Sequence, residues 1–417
     1  MNNVNNVNNV NNVNNTNSAS CGNGVVEGIE ACDGTQFATT CEEEGFVYGG
    51  VLTCNSDCTA NTSACFDNNP TTDYAMDLLF VVDNSLSMEA EQAKMINNFP
   101  QLMLRLQEEF GHLPSMHIGV TTPDMDLGGF EIPTCQITNN GKLVKGAENA
   151  CANPQGQYYI VDVEPAGCTI DRGTDGMCSH DCAAANCEAA AFDGNEPEGL
   201  QLVDDINGCP RCRNYSNETI EDVFSCIADV GVNGCGFEQP LEAMHAAFTS
   251  QFTENEGFLR DNAYLAVVFI SDEDDCSASN DTLFDPTNTD IGELTSFRCT
   301  QWGISCTEAW DGDYTSFPVD LHDCVARPQE DPDRLLHPIS RYVETLINLK
   351  GHPMKISVMA IAGPFEGTLT MDLDEMERLT LVPSCGSAVD GAVPGVRLKG
   401  LVSYFTETTD LPWAFSS

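Results

Sequence analysis

From residue 76 onward, apolar runs and amphipathic stretches take turns along the chain. "MDLLFVVD" (76–83) is an unbroken apolar run closed by a carboxylate, the pattern of a strand buried on both faces. "EAEQAKMINNFPQLMLRLQEEF" (89–110) repeats its apolar residues at helical spacing, and Pro100 within it predicts a kink. "MHIGVTTPD" (116–124), "AYLAVVFISD" (263–272) and "KISVMAIAG" (355–363) read as further strands, and residues 218–231, 240–252 and 334–350 as helices. Strands alternating with helices predict an α/β domain with a mostly parallel sheet covered on both sides.

Two long stretches break this rhythm. Residues 125–215 carry eight cysteines and residues 276–333 four, among Gly, Asn, Asp and Pro with little periodicity. A compact domain does not tolerate bare loops of that length, so each is expected to be a cross-linked insertion on the rim of the sheet. Upstream, residues 1–20 begin with a three-residue Asn/Val repeat that cannot build a core and is expected to be disordered. Residues 21–65 hold six cysteines without helical periodicity, the mark of a small disulfide-stapled module. Its opening, "CGNGVVEGIEACDGT", resembles the cysteine-rich repeats of myxobacterial surface proteins. A linker at 66–73 leads into the main domain, residues 74–417.

Charge narrows the possible partners. The 417 residues include 64 acidic and 17 basic ones, for a formal net charge of -47. That excess repels nucleic acid and anionic membranes and attracts divalent cations. Twenty-one cysteines are too many for a reducing cytosol unless they bind metal, which points to disulfides and an extracellular or cell-surface location. "CPRC" (209–212), with Cys178, His180, Cys182 and Cys187, has zinc-like spacing, but disulfides account for it better in such a chain. No secretory signal peptide is visible and no run is long enough to span a membrane. If cysteines pair locally, Cys385 is left over. Either its partner lies beyond the present end of a truncated chain, or one pair is long-range.

The stretch "LLFVVDNSLSMEAEQ" (78–92) carries the chemistry. Asp83 ends a buried strand, and Ser85 and Ser87 follow at alternate positions; Asp272 ends another buried strand in "AVVFIS-D". In an open parallel sheet ligands gather at the carboxyl ends of the strands, so neighbouring strands would bring these four residues together. Carboxylates and hydroxyls are hard oxygen ligands suited to Mg²⁺, Ca²⁺ or Mn²⁺. The competing reading is that Ser85 or Ser87 merely caps the helix that follows. No His-Glu-x-x-His pair, Gly-x-Ser-x-Gly elbow or phosphate-binding glycine loop is present, and no enzymatic activity is expected.

"DNSLS" followed much later by "FISDEDD" resembles the Asp-x-Ser-x-Ser signature and late strand-end aspartate of von Willebrand factor type A domains, the integrin I-like class. The resemblance spans roughly residues 74–415. It implies a doubly wound sheet and a metal-ion-dependent adhesion site built from Asp83, Ser85, Ser87 and Asp272. Members of the class also use a threonine in a loop before a helix. The matching loop, "GVNGCGFEQPLEAM" (231–244), has none, and Glu238 falls closest. Glu238 is therefore a candidate ligand, or else a charge at the start of the next helix. Thr122 and Asp124 are weaker candidates on the same rim, and Asp274 and Asp275 read as solvated loop charges. The resemblance implies an exported cell-surface adhesion protein that engages an acidic group on a protein or glycan through the cation, with the 125–215 insertion framing the site. The alternatives are a non-catalytic or regulatory part of a secreted hydrolase, or a disulfide-rich spacer whose site is unused.

Overall fold

The computed structural model describes residues 75–408 except 134, 136–137, 174–175, 189–198, 311–313, 315 and 387–390, together with 26, 30–33, 36–41, 52–55 and 58–62. The chain divides into two units, Met1–Thr72 and Asp73–Ser417. The repeat at 1–20 and the linker at 66–73 lie outside the described residues. In the smaller unit Cys32–Asp33 pairs antiparallel with Gln36–Phe37, and Thr53–Cys54 with Ala60–Asn61. A Cys32–Cys54 disulfide joins the two ladders.

Seven strands form the main sheet of the larger unit: β1 (Ala75–Val82), β2 (Ser115–Thr121), β3 (Ile160–Val163), β4 (Gln201–Asp204), β5 (Pro210–Arg213), β6 (Tyr264–Ile270) and β7 (Ile356–Ile361). Their order is β4-β5-β3-β2-β1-β6-β7. The four strands β2-β1-β6-β7 run parallel, while β3, β5 and β4 continue the sheet antiparallel. The sheet is thus mixed rather than mostly parallel. The reason lies in the first cysteine-rich stretch, which was expected to stay on the rim but donates β3, β4 and β5 to the sheet itself.

Strand β1 has no solvated face, and its alternate side chains enter two cores. Leu79 and Val81 pack with residues of α3 (Pro240–Thr249), α5 (Ile339–Lys350) and α6 (Val396–Thr408). Leu78, Phe80 and Val82 pack against α1 (Glu89–Phe110) and α2 (Ile220–Ala228). Phe80, Phe99 and Phe224 meet there, the last two stacked at 3.7 Å between ring centroids, which ties both helices to β1. Each such side chain removed from water contributes about 1.5–3 kcal/mol. Helix α1 continues through Pro100 as a single helix.

A buried charge cluster closes the end of the sheet opposite the strand carboxyl termini. Asp77 accepts bonds from Arg260 Nε at 2.8 Å and Lys350 Nζ at 3.1 Å, with all three residues buried. The guanidinium also donates to the carbonyls of Met76 and Ser115. Every charge is therefore paired or hydrogen-bonded, the condition under which buried ions are tolerated.

Disulfides hold the insertions. Cys168–Cys182, Cys178–Cys209 and Cys187–Cys212 cross-link the stretch around β4 and β5, so the zinc-like cysteines are all oxidised. Cys135–Cys235 and Cys151–Cys226 run from the same insertion to the segment before α3. The second insertion carries α4 (Phe297–Gly303) and the bridges Cys276–Cys299 and Cys306–Cys324. It winds around the buried Arg298, whose guanidinium donates to the carbonyls of Leu283, Asp285, Asn288, Gly292 and Glu293. Cys385 is a free, exposed thiol.

Candidate metal centre

Because β2, β1 and β6 are adjacent and parallel, their following loops leave from one end of the sheet. That end carries Asp83, Thr122, Asp124 and Asp272. Asp83 is held by its own backbone: its amide donates to Ile270 O at 2.9 Å, extending the β1–β6 pairing by one residue. The carboxylate is fixed at both oxygens. Oδ1 accepts the Ser85 amide and Oδ2 the Ser271 hydroxyl, each at 2.7 Å. Ser85 Oγ and Ser87 Oγ lie 3.3 Å apart. The structure thereby links Asp83, Ser85 and Ser87 into one polar chain, and the Asp272 charge lies close enough to act on Asp83. Neither serine caps a helix: the short turn at Leu86–Met88 and α1 both start without a side-chain cap.

Glu238 reaches the same rim from another direction. It is 2 % exposed and precedes α3, whose cap position is Gln239, so it does not serve as the helix cap. Its carbonyl accepts the Cys276 amide at 2.7 Å, which pins this loop to the segment after β6. Glu238 Oε1 and Asp272 Oδ1 are buried with no hydrogen-bond partner.

The loops around these residues are fastened by amides. Asn84 Nδ2 donates to Asp124 Oδ2 at 2.7 Å, and the Asn84 carbonyl accepts the Gly234 amide at 2.6 Å. Asp124 also accepts from Thr122 Oγ1 and from the Cys235 amide. Its carboxylate is engaged in joining three loops, and Thr122 serves it. Gln92, on the first turns of α1, donates to the carbonyls of Asp83 and Gly231. Asp274 and Asp275 are not solvated charges. Asp274 accepts the amides of Arg397 and Leu398 at the start of α6, and Asp275 pairs with the buried Arg397 guanidinium at 2.9 Å.

Electrostatically the cluster lacks positive charge. Burial lifts the Asp83 carboxyl to about 7 against the opposing bonds from Ser271 and Ser85, with the Asp272 charge adding to the rise. Burial, then the charges of Asp272 and Asp83, lift Glu273 to about 8. Burial and the charges of Glu273, Asp83 and Asp272 push Glu238 well above the usual carboxylate range, and burial also raises Asp272. Among the described residues no lysine, arginine or histidine forms an ion pair with any of the four.

The donor set suits a hard cation, and the two orphaned oxygens are the kind such an ion satisfies. The carboxylates do not form a cage by themselves. No three of them each bring an oxygen within 4.8 Å of the others, so hydroxyls and water must supply part of any coordination shell. The trio that does meet that distance is Glu30, Asp33 and Cys58 in the smaller unit, where the Cys58 sulfur is locked in a disulfide. Ser271, Glu273, Asn84 and Gln92 belong to the rim but have no periodic signal in the sequence; only the acidic run "SDEDD" hints at Glu273. No protein-family profile matches this chain, and no curated protein sequence matches it.

Proposed function

We propose that the larger unit is a doubly wound domain of the von Willebrand factor type A class that binds a protein or glycan partner through a divalent cation, Mg²⁺ or Ca²⁺, outside the cell. One observation carries this reading: buried carboxyls from separate loops gather at the ends of adjacent parallel strands, two of their oxygens have no partner, and no basic side chain balances them. Asp83, Ser85, Ser87 and Asp272 would hold the ion, with Glu238 as the carboxylate where the class has threonine. When bound, the ion supplies an open coordination position for an acidic group of the partner. The chain's own residues preset that position. Ser271 and the Ser85 amide fix the Asp83 carboxylate, and the Asn84–Asp124 bond fixes the loop behind it. Leu86, 82 % exposed between the two serines, offers the partner an apolar contact.

An oxidising, extracellular setting is supported by the disulfides that hold both insertions. No helix among the described residues is long and apolar enough to cross a membrane. Titration calorimetry with Mg²⁺ and with Ca²⁺ tests the proposal. A saturable equivalent in the wild type that is missing from Asp83→Ala supports it; identical binding in both proteins sinks it.

A further inference from the structure

Beside the strand-end cluster lies a recess of about 80 Å³, bordered by Glu238, Glu273, Ser296, Thr300 and Thr380. It separates the loop after β6 from the second cysteine-rich insertion, and the Cys276–Cys299 disulfide borders it too. Asp274 and Asp275 also face it, but their oxygens are taken. Asp274 serves the amides of Arg397 and Leu398, while Asp275 serves Arg397, the Leu241 amide and Ser277. Glu238 and Glu273 are in a different position. Both border the recess, and Glu238 Oε1 is buried without a partner. Among the described residues no lysine, arginine or histidine borders the recess. Two carboxyls facing one recess repel each other when ionised, and a cation between them removes that repulsion. The volume suffices for an ion and a few waters.

We infer that this recess is a second cation site, selective for Ca²⁺, held by Glu238 and Glu273 with hydroxyls of the 296–300 helix, Thr380 and water completing the shell. Four separate segments supply these oxygens: the loop before α3, the loop after β6, the start of α4 and the short strand Leu379–Leu381. Donors on such different supports suit the variable coordination of Ca²⁺ and not the strict octahedron of Mg²⁺. The ion joins the insertion to the sheet next to Asp272. Occupancy of the recess therefore steadies the rim that carries the proposed first site. The inference shares Glu238 with that reading but needs neither Asp83, Ser85 nor Ser87.

Equilibrium dialysis and calorimetry with Ca²⁺ on the full chain, after chelation, decide the matter. A few tenths molar KCl in the buffer screens loose counterion binding to so acidic a surface. The expected result is two equivalents in the wild type and one in Glu273→Gln. Asp83→Ala retains the one that Glu273→Gln loses. Thr300→Val is a milder variant that should weaken the same equivalent severalfold, and thermal melting in chelator checks that each variant is folded. Replacing Ca²⁺ by Mg²⁺ should leave the recess empty. A single equivalent that Asp83→Ala removes and Glu273→Gln leaves intact overturns the second site and spares the first. A single equivalent lost only in Glu273→Gln supports the recess and overturns the first site. No saturable binding overturns both.

Discussion

Arg260 grips Asp77 twice across 183 positions of sequence: its Nε lies 2.8 Å from Oδ1 and its backbone amide 2.9 Å from Oδ2. With Lys350 Nζ on the same carboxylate, one anion anchors two buried cations that stand 90 positions apart in sequence. Asp77→Ala leaves both cations uncompensated, and the expected loss is about 3–5 kcal/mol of stability. Lys350→Met keeps the Asp77–Arg260 pair and should cost clearly less. Urea unfolding of the two variants against wild type measures the difference.

A second buried carboxylate sets an acid limit. Burial opposes ionisation of Asp162, but Arg211 and Arg213 outweigh it, helped by the Tyr215 hydroxyl, and hold its carboxyl below the ordinary value. A group whose folded pKa is depressed stabilises the fold above its unfolded pKa, near 3.9, and loses that contribution as pH falls through the folded value. The stability gap between wild type and Asp162→Asn should therefore be full from neutral pH down to about 5. It should narrow below about 4, as read from denaturation midpoints across that range.

Gly234 offers a way to disturb the proposed metal centre without touching a proposed ligand. A Cβ on it would lie 2.4 Å from Asn84 Oδ1 and 2.7 Å from the Asn84 carbonyl oxygen. Part of that obstruction is backbone, so Gly234→Ala must move the loop that follows Asp83. Cation affinity should fall roughly tenfold, or about 1.4 kcal/mol, while the far-ultraviolet circular dichroism stays unchanged.

Glu238→Thr supplies the hydroxyl that the proposed type A reading expects at this position. It removes one of four carboxyls that repel one another, so it should stabilise the cation-free protein. It should also weaken cation retention by roughly tenfold. Thermal midpoints in chelator and in saturating Mg²⁺ would move in opposite senses relative to wild type. A parallel movement of both rules out ligation by Glu238.

The Cys135–Cys235 bridge closes a loop of sequence separation 100, for which chain entropy gives about 4.7 kcal/mol. The double variant Cys135→Ala/Cys235→Ala should lose a few kcal/mol by chemical denaturation. It should also lose part of its cation affinity, because the Cys235 amide is one of the donors that hold Asp124.

The central strands were readable because β1, β2 and β6 are buried apolar runs, and Asp83 and Asp272 were readable because each ends one. Strands β4 and β5 were not. "QLVD" and "PRCR" are short and polar, and disulfides there take over work that apolar periodicity does elsewhere. Asp274 and Asp275 looked like loop charges because their partner, Arg397, comes more than a hundred residues later, and no local pattern announces an ion pair at that separation. Glu273 was hidden for a related reason. In extended chain it should point away from Asp272, yet it lines the same recess as Glu238.

The crosslinks Cys135–Cys235 and Cys151–Cys226 bracket the segment whose Gly231 and Gly234 backbone groups hold Gln92 and Asn84. A loop fastened at both margins cannot slide past its neighbours by a helical turn. The entropy of ordering it is settled once, when the thiols oxidise during folding, and not at each encounter with a partner. A molecule arriving at this surface meets a finished mould, so its capture should follow a single exponential with no slow rearrangement phase.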